Sequence, residues 1–227
     1  MKKSLLLLPM AFILVLAGCA SVSVQKGAEN SASKMPQKIY VAAFNVNHAE
    51  FKVDREGGEL TTFKGNLQAM MQAGMVADLS HRLILAVPMN DVQGSQPASG
   101  WLIEGEFTKI NQGSRLLRGA IGLGAGGTKV ETRVYVYDLS QNTKAPFLTF
   151  STTGGSGAEP GAISGIATDP VEMAVGAVLS SGGGVAHGLT EDTARTAREI
   201  TAELSDYMYR NGWIPKEEWI KPKNLDE

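Results

Sequence analysis

Cys19 is the only cysteine among the 227 residues, and a lone thiol has a short list of chemistries open to it. It closes no internal disulfide, even in an oxidising compartment. His48, His81 and His187 are too far apart in sequence to give a metal-ligand spacing with it or with one another. What remains is a nucleophile or a site of covalent modification, and position decides between them. Lys2 and Lys3 form a positive opening, Leu5 to Ala17 an apolar run interrupted by Pro9, and Ala17, Gly18 and Ala20 place small residues around the cysteine. That is the layout of an export signal with its cleavage site. The run is too short to span a bilayer as a mature helix.

Other reactive residue types do not assemble into a catalytic pattern. Glu104 and Glu106 share one face of an alternating segment, but alternation turns both outward, where acids form a solvated face paired across strands, here with Arg133. A catalytic pair needs one carboxyl raised in pKa by burial. No G-x-S-x-G elbow occurs. Gly122 to Gly127 satisfies G-x-G-x-x-G, yet that fingerprint needs a helix after the glycines, and the β-rich run Thr128 to Leu139 follows instead. These glycines read as a connection between strands. Arg115 and Arg118 just before them can present guanidinium groups to lipid phosphates or to carboxylates of a partner, with Gly122 and Gly124 permitting close approach. No catalytic residue, metal ligand, cofactor or nucleotide site is assigned.

Composition narrows the partners further. The formal charge is −2, and it becomes −4 once residues 1–18, with two lysines and no acid, are removed. A nucleic-acid binder carries a clustered basic excess, so that class is excluded. At 43% hydrophobic and 19% charged, the remaining chain builds one core better than two.

The elements that must position these residues follow from periodicity. Residues 19–36 are small and polar and read as a flexible tether. Lys38 to Phe44 is a β-branched and aromatic run, placed in the middle of a sheet. Leu67, Met70, Met71, Val76, Leu79 and Leu83 stripe a helix from Asn66 to Leu85, weakened at Gly74. Trp101, Ile103 and Phe107 alternate with polar residues, as do Val130, Val134 and Val136, and Pro146 to Ser151 gives a third strand after a hairpin at Asn142. Ala194, Ala197, Ile200, Leu204 and Met208 stripe a helix over Thr190 to Asn211 that Gly212 stops, with Trp213 and Ile214 folding back. Strand, helix, strands, helix predicts an α/β (α+β-like) sandwich, with helices on a mixed, largely antiparallel sheet, as a single domain over 37–213 and a tail over 214–227.

From 154 to 188 the chain has ten glycines and three charged residues, and no lysine or arginine occurs from Ala145 to Ala194. Gly157, Gly161 and Gly165 recur at four-residue steps, the spacing by which helix backbones approach closely. Met173 to Leu179 adds a short apolar helix. The segment reads as an excursion or helical hairpin packed on its own domain, or as a surface for self-association or membrane contact. The long alternation that membrane strands need is missing from it.

Leu16-Ala17-Gly18-Cys19 resembles the lipobox of bacterial lipoproteins. The resemblance implies that residues 1–18 are a signal peptide removed before Cys19, that Cys19 takes acyl chains such as palmitate, and that the protein is anchored in the outer membrane facing the periplasm, since no aspartate follows the cysteine. Lys38 to Phe44, Phe51 to Arg55, Ile103 to Glu106 and above all Gln112 to Gly126 resemble a family of bacterial lipoproteins whose domain has no assigned function. In strand order the domain is similar, more distantly, to the curli secretion lipoprotein family and to periplasmic lipoproteins that activate cell-wall synthases. These resemblances imply a binding or assembly module with an envelope protein partner or with copies of itself. An oligomeric secretion-channel component is the alternative, and a periplasmic enzyme a third reading.

Overall fold

A computed structural model describes residues 21–32, 34–94, 97–114, 127–141, 145–155, 169–181, 185 and 187–223. Among the described residues, seven strands form one sheet: β1 (Ser21–Glu29), β2 (Ile39–Val41), β3 (Glu50–Lys52), β4 (Ala86–Pro88), β5 (Trp101–Asn111), β6 (Lys129–Asp138) and β7 (Leu148–Gly155). Their order is β1-β7-β6-β5-β2-β4, with β3 paired to the far half of the β5 edge that β2 uses. The pairs made by β5, β6, β7 and β1 with one another are antiparallel, while β2 and β3 run parallel to β5 and β2 runs parallel to β4. Three helices, α1 (Gly57–Arg82), α2 (Pro170–Ser180) and α3 (His187–Arg210), pack with this mixed sheet in an α+β fold.

Alternation sets the core. Trp101, Ile103 and Phe107 of β5, Val130, Val134 and Val136 of β6, and Leu148 and Phe150 of β7 are all buried under the helices. A bulge between Phe107 and Lys109 keeps Ile110 on the same face. β2 lies between β5 and β4, inside the sheet as its sequence predicts. On the other face, Tyr40, Glu104, Glu106, Arg133, Tyr135 and Tyr137 are exposed or half-buried. Glu106 accepts from Tyr135 at 3.0 Å and pairs with Arg133 at 3.4 Å, the expected cross-strand pairing.

α1 starts nine residues before the predicted Asn66, because Leu60 and Phe63 continue the stripe of Leu67, Met70, Met71, Met75 and Leu79 backwards through a glycine- and threonine-rich stretch of low propensity. Burial outweighs propensity there. Gly74 is the point where the three helices meet: a β-carbon on it would lie 3.3 Å from Ala197, Val171 and Val175. α3 begins at His187, ahead of the predicted Thr190, and its five predicted stripe residues are all buried. Gly212, at φ +72°, ends it, and Trp213 folds back so that its amide donates to the Met208 carbonyl at 3.0 Å and its ring meets Trp101 and Tyr207 at 5.9 Å.

Two expectations are corrected at the ends of the domain. Residues 21–32 of the expected tether are not a tether: Ser21 to Lys26 pair residue by residue with β7, Val24 is 3% exposed, and the Ala32 amide donates to the Tyr207 hydroxyl at 2.8 Å. The alternation Ser21-Val22-Ser23-Val24 is the signal that was there to read. Residues 214–223 of the expected tail are likewise packed, with Ile214 buried, Trp219 stacked on Tyr209 at 5.3 Å and the Val24 amide donating to the Lys223 carbonyl at 3.0 Å. Both segments close over the outer side of α3, where they cover apolar and carboxylate side chains that an independent 37–213 domain would leave in water.

Candidate functional site

One end of the sheet gathers the strand ends that lead into the segments singled out in the sequence. Asn111, the last residue of β5, lies opposite Lys129, the first of β6; Lys129 lies opposite Gly155, the last of β7; and Gly155 lies opposite Ser21, the first of β1. The chain therefore leaves this end toward 115–126, returns, leaves again toward 156–168, and enters it from Cys19 and Ala20. Cys19, Arg115, Arg118, Gly122, Gly124, Gly157, Gly161 and Gly165 themselves lie outside the described residues. The structure brings together the strand ends from which they depart. As the sequence predicts, a strand and not a helix follows Gly127.

The end is built from paired polar groups over an aromatic floor. Gln112 accepts from Arg55 at 2.7 Å and donates to Asp54 at 2.6 Å, while its amide donates to the Lys52 carbonyl at 3.1 Å. The Arg55 guanidinium lies 4.6 Å above the Phe63 ring, and the Lys64 ammonium 4.6 Å from the Phe51 ring. Glu50 receives Lys52 and Lys109, each at 3.1 Å, and hydrogen bonds from Lys52 first and then Lys109 hold its carboxyl below the usual range. Lys129 pairs with Glu131 at 2.5 Å. Gly113 turns the chain at φ +72°, its amide donating to the Asn111 side chain at 2.9 Å. At the start of α3, Gly188 lies so close to Thr128 that a β-carbon would be 2.9 Å from its methyl, and the Thr128 hydroxyl donates to buried Asp192 at 2.6 Å.

Carboxylates that sequence reading passed over line the outer side of α3. Glu199, Glu203 and Asp206 are buried and recur at helical spacing. Burial pushes Glu203 up to about 7, and among the described residues its buried Oε1 has no hydrogen-bond partner. Asp206 is desolvated too, but hydrogen bonds from Lys26 at 3.0 Å and Arg210 at 2.9 Å outweigh that and hold it low. Glu199 is raised by burial and accepts from the Lys223 amide. A carboxyl raised as Glu203 is has the pKa of a general acid, but at 1% exposure it is closed off from an arriving substrate. The groove of about 370 Å³ bordered by Lys34, Tyr40, Gly100 and Asp138 is at the opposite end of the sheet. Among the described residues no group of three or more His, Cys, Asp or Glu side chains is gathered as a metal ion would need, and no helix is long and apolar enough to cross a membrane.

Among solved structures, the chain is similar to the PelC dodecamer from Paraburkholderia phytofirmans at 12% identity, over 70% of this chain and 96% of that one, with a TM-score of 0.34. It is also similar to lipoprotein GNA1162 from Neisseria meningitidis at 15% identity, over 64% of this chain and 97% of that one, with a TM-score of 0.36. A third is a lipoprotein from Caulobacter crescentus CB15, at 14% identity, 77% and 93% coverage and a TM-score of 0.33. No curated protein matches the chain. The profile of a family described as "Domain of unknown function (DUF4410)" matches residues 39–176, from the start of β2 into α2, and the chain belongs to that family.

Proposed function

We propose that this protein is a lipid-anchored component of the bacterial outer membrane, held by acyl chains on Cys19, whose periplasm-facing domain works by binding or assembling with envelope proteins and not by catalysis. The observation that carries the reading is Leu16-Ala17-Gly18-Cys19 at the end of an export signal, with the folded domain starting two residues later at Ser21. Acyl chains bury methylenes at about 0.8 kcal/mol each, so two or more of them anchor stably where one is marginal. The reading against catalysis is supported by the state of the acids named above: Glu106 is engaged by Tyr135 and Arg133, and the raised carboxyls of Glu199 and Glu203 are buried on the side of α3 that β1 and the C-terminal segment close.

The anchor is tested by growing cells with labelled palmitate. Wild-type protein is expected to carry label and to sediment with the outer membrane, while Cys19→Ser loses the label and leaves the membrane fraction. Label retained on the variant would overturn the assignment. Sedimentation in detergent then separates the two forms of assembly, since a ring of identical subunits gives one large discrete species and an accessory module does not.

A further inference from the structure

We propose that the sheet end formed by Asn111, Lys129, Gly155 and Ser21 is the face that this domain presents to the lipid bilayer. The inference rests on the reading of Cys19 as the acyl acceptor and adds an orientation to it. Two residues of fully extended chain span about 7 Å, so a lipid anchor on Cys19 holds Ser21 within about that distance of the membrane surface. An eighteen-residue free tether would have allowed any orientation within tens of ångströms.

β1 removes that freedom. Six consecutive residues pair with β7, Lys26 is tied to Asp206 at 3.0 Å, and the Val24 amide is tied to Lys223. The strand is thus part of the body and transmits the position of the anchor to the sheet. Gly155, Lys129 and Asn111 stand beside Ser21 in adjoining strands spaced about 4.8 Å apart, so all four lie close to the same level. Trp101 and Asp138, at the other ends of β5 and β6, are about 30 Å further away.

The chemistry of this end suits a headgroup layer. Lys52, Lys109 and Lys129 are spread across three strands and paired with Glu50 and Glu131 at half-exposed positions. Exposed pairs of this kind are worth little, so each ammonium can exchange its carboxylate for a lipid phosphate at small cost. Connectivity then makes this same end the point of departure of both glycine-rich stretches.

The test uses acylated full-length protein in vesicles of phosphatidylethanolamine and phosphatidylglycerol that contain a nitroxide-headgroup lipid. With Cys19 acylated, an introduced cysteine is the sole free thiol. Lys129→Cys and Lys52→Cys report on the proposed membrane end and Ser99→Cys on the opposite end, each labelled with the same fluorophore. Quenching at positions 129 and 52 is expected to exceed that at 99 at least threefold. A ten-residue Gly-Ser insertion between Ala20 and Ser21 should keep the protein on the vesicles and bring the three positions to similar quenching. Acylated protein with equal quenching at both ends, or with quenching unmoved by the insertion, would overturn the orientation while leaving the anchor intact. Failure of palmitate labelling in the same preparation would overturn the anchor first.

Discussion

The ring of Phe44 lies against Gly105, so close that a β-carbon on Gly105 would stand 2.4 Å from Phe44 Cε2 and 2.5 Å from Cζ. Phe44 is fully buried and meets Phe107 edge-on at 5.9 Å. The ring is thus enclosed by the core on the side away from Gly105. Gly105→Ala is therefore expected to destabilise the fold by about 1–3 kcal/mol through overpacking. Adding Phe44→Leu should recover part of that loss, because the two residues share one volume. Equal, additive losses in chemical denaturation would show that the contact is not the cause.

Gly74 gives the corresponding prediction for the helical layer. A methyl group there gains about 1 kcal/mol of helix propensity but meets Ala197, Val171 and Val175, each at 3.3 Å. The two effects oppose each other, so Gly74→Ala should change the melting temperature little. Gly74→Leu cannot be accommodated between three helices and is expected to cost about 1–3 kcal/mol or more. A Gly74→Leu protein as stable as wild type would mean that α2 does not seat on α1 as described.

Legibility from sequence followed the strength of the periodic signal. The stripe of α3 and the alternation of β5 and β6 are long and regular, and the predicted inward residues are the buried ones. The start of α1 was hidden because Gly57, Gly58, Thr61, Thr62 and Gly65 carry no helix preference, and only Leu60 and Phe63 mark the buried face. β1 was hard to read because the alternation Ser21-Val22-Ser23-Val24 runs over just four residues before Gln25 and Lys26, and the C-terminal segment that covers this edge strand, where the Val24 amide meets the Lys223 carbonyl, is distant in sequence. The residues that the sequence offers as an interaction surface lie outside the described ones; what strand register across β5, β6, β7 and β1 adds, and no local pattern carries, is that the strand ends leading to them are neighbours.

Glu203 gives a pH dependence whose sign is fixed by burial. Its carboxyl is raised from 4.5 to about 7 in the folded state, by desolvation first, with Asp206 and Glu199 adding repulsion and Lys26 and Arg210 opposing it. Between those two values the folded protein holds a proton that the unfolded chain has lost, so stability falls as pH rises through the window. Above about pH 7 the full penalty is present, at most about 3 kcal/mol. Glu203→Gln is expected to match wild type near pH 4 and to exceed it at pH 8. A variant less stable than wild type at pH 8 would show that the ionised carboxylate is well accommodated.

The N-terminal strand gives the prediction that separates a structural segment from a spacer. Val24 is buried at 3% exposure, so Val24→Ala removes apolar burial and is expected to cost about 1–3 kcal/mol. Gly27 lies against the backbone of Thr149, where a β-carbon would be 2.6 Å from the carbonyl oxygen, so Gly27→Ala must push β1 away from β7 or shift its pairing. Gln25, exposed on the same strand, is the control, and Gln25→Ala should change stability by less than about 0.5 kcal/mol. The same ordering should appear in amide exchange, with the Val24 amide protected through its bond to Lys223 and deprotected in the Gly27 variant. If all three substitutions left both stability and exchange unchanged, residues 21–29 would be a spacer after all. The orientation argued from Ser21 opposite Gly155 would then fall with the strand, because an anchor on a loose chain fixes a distance from the membrane and not a facing side.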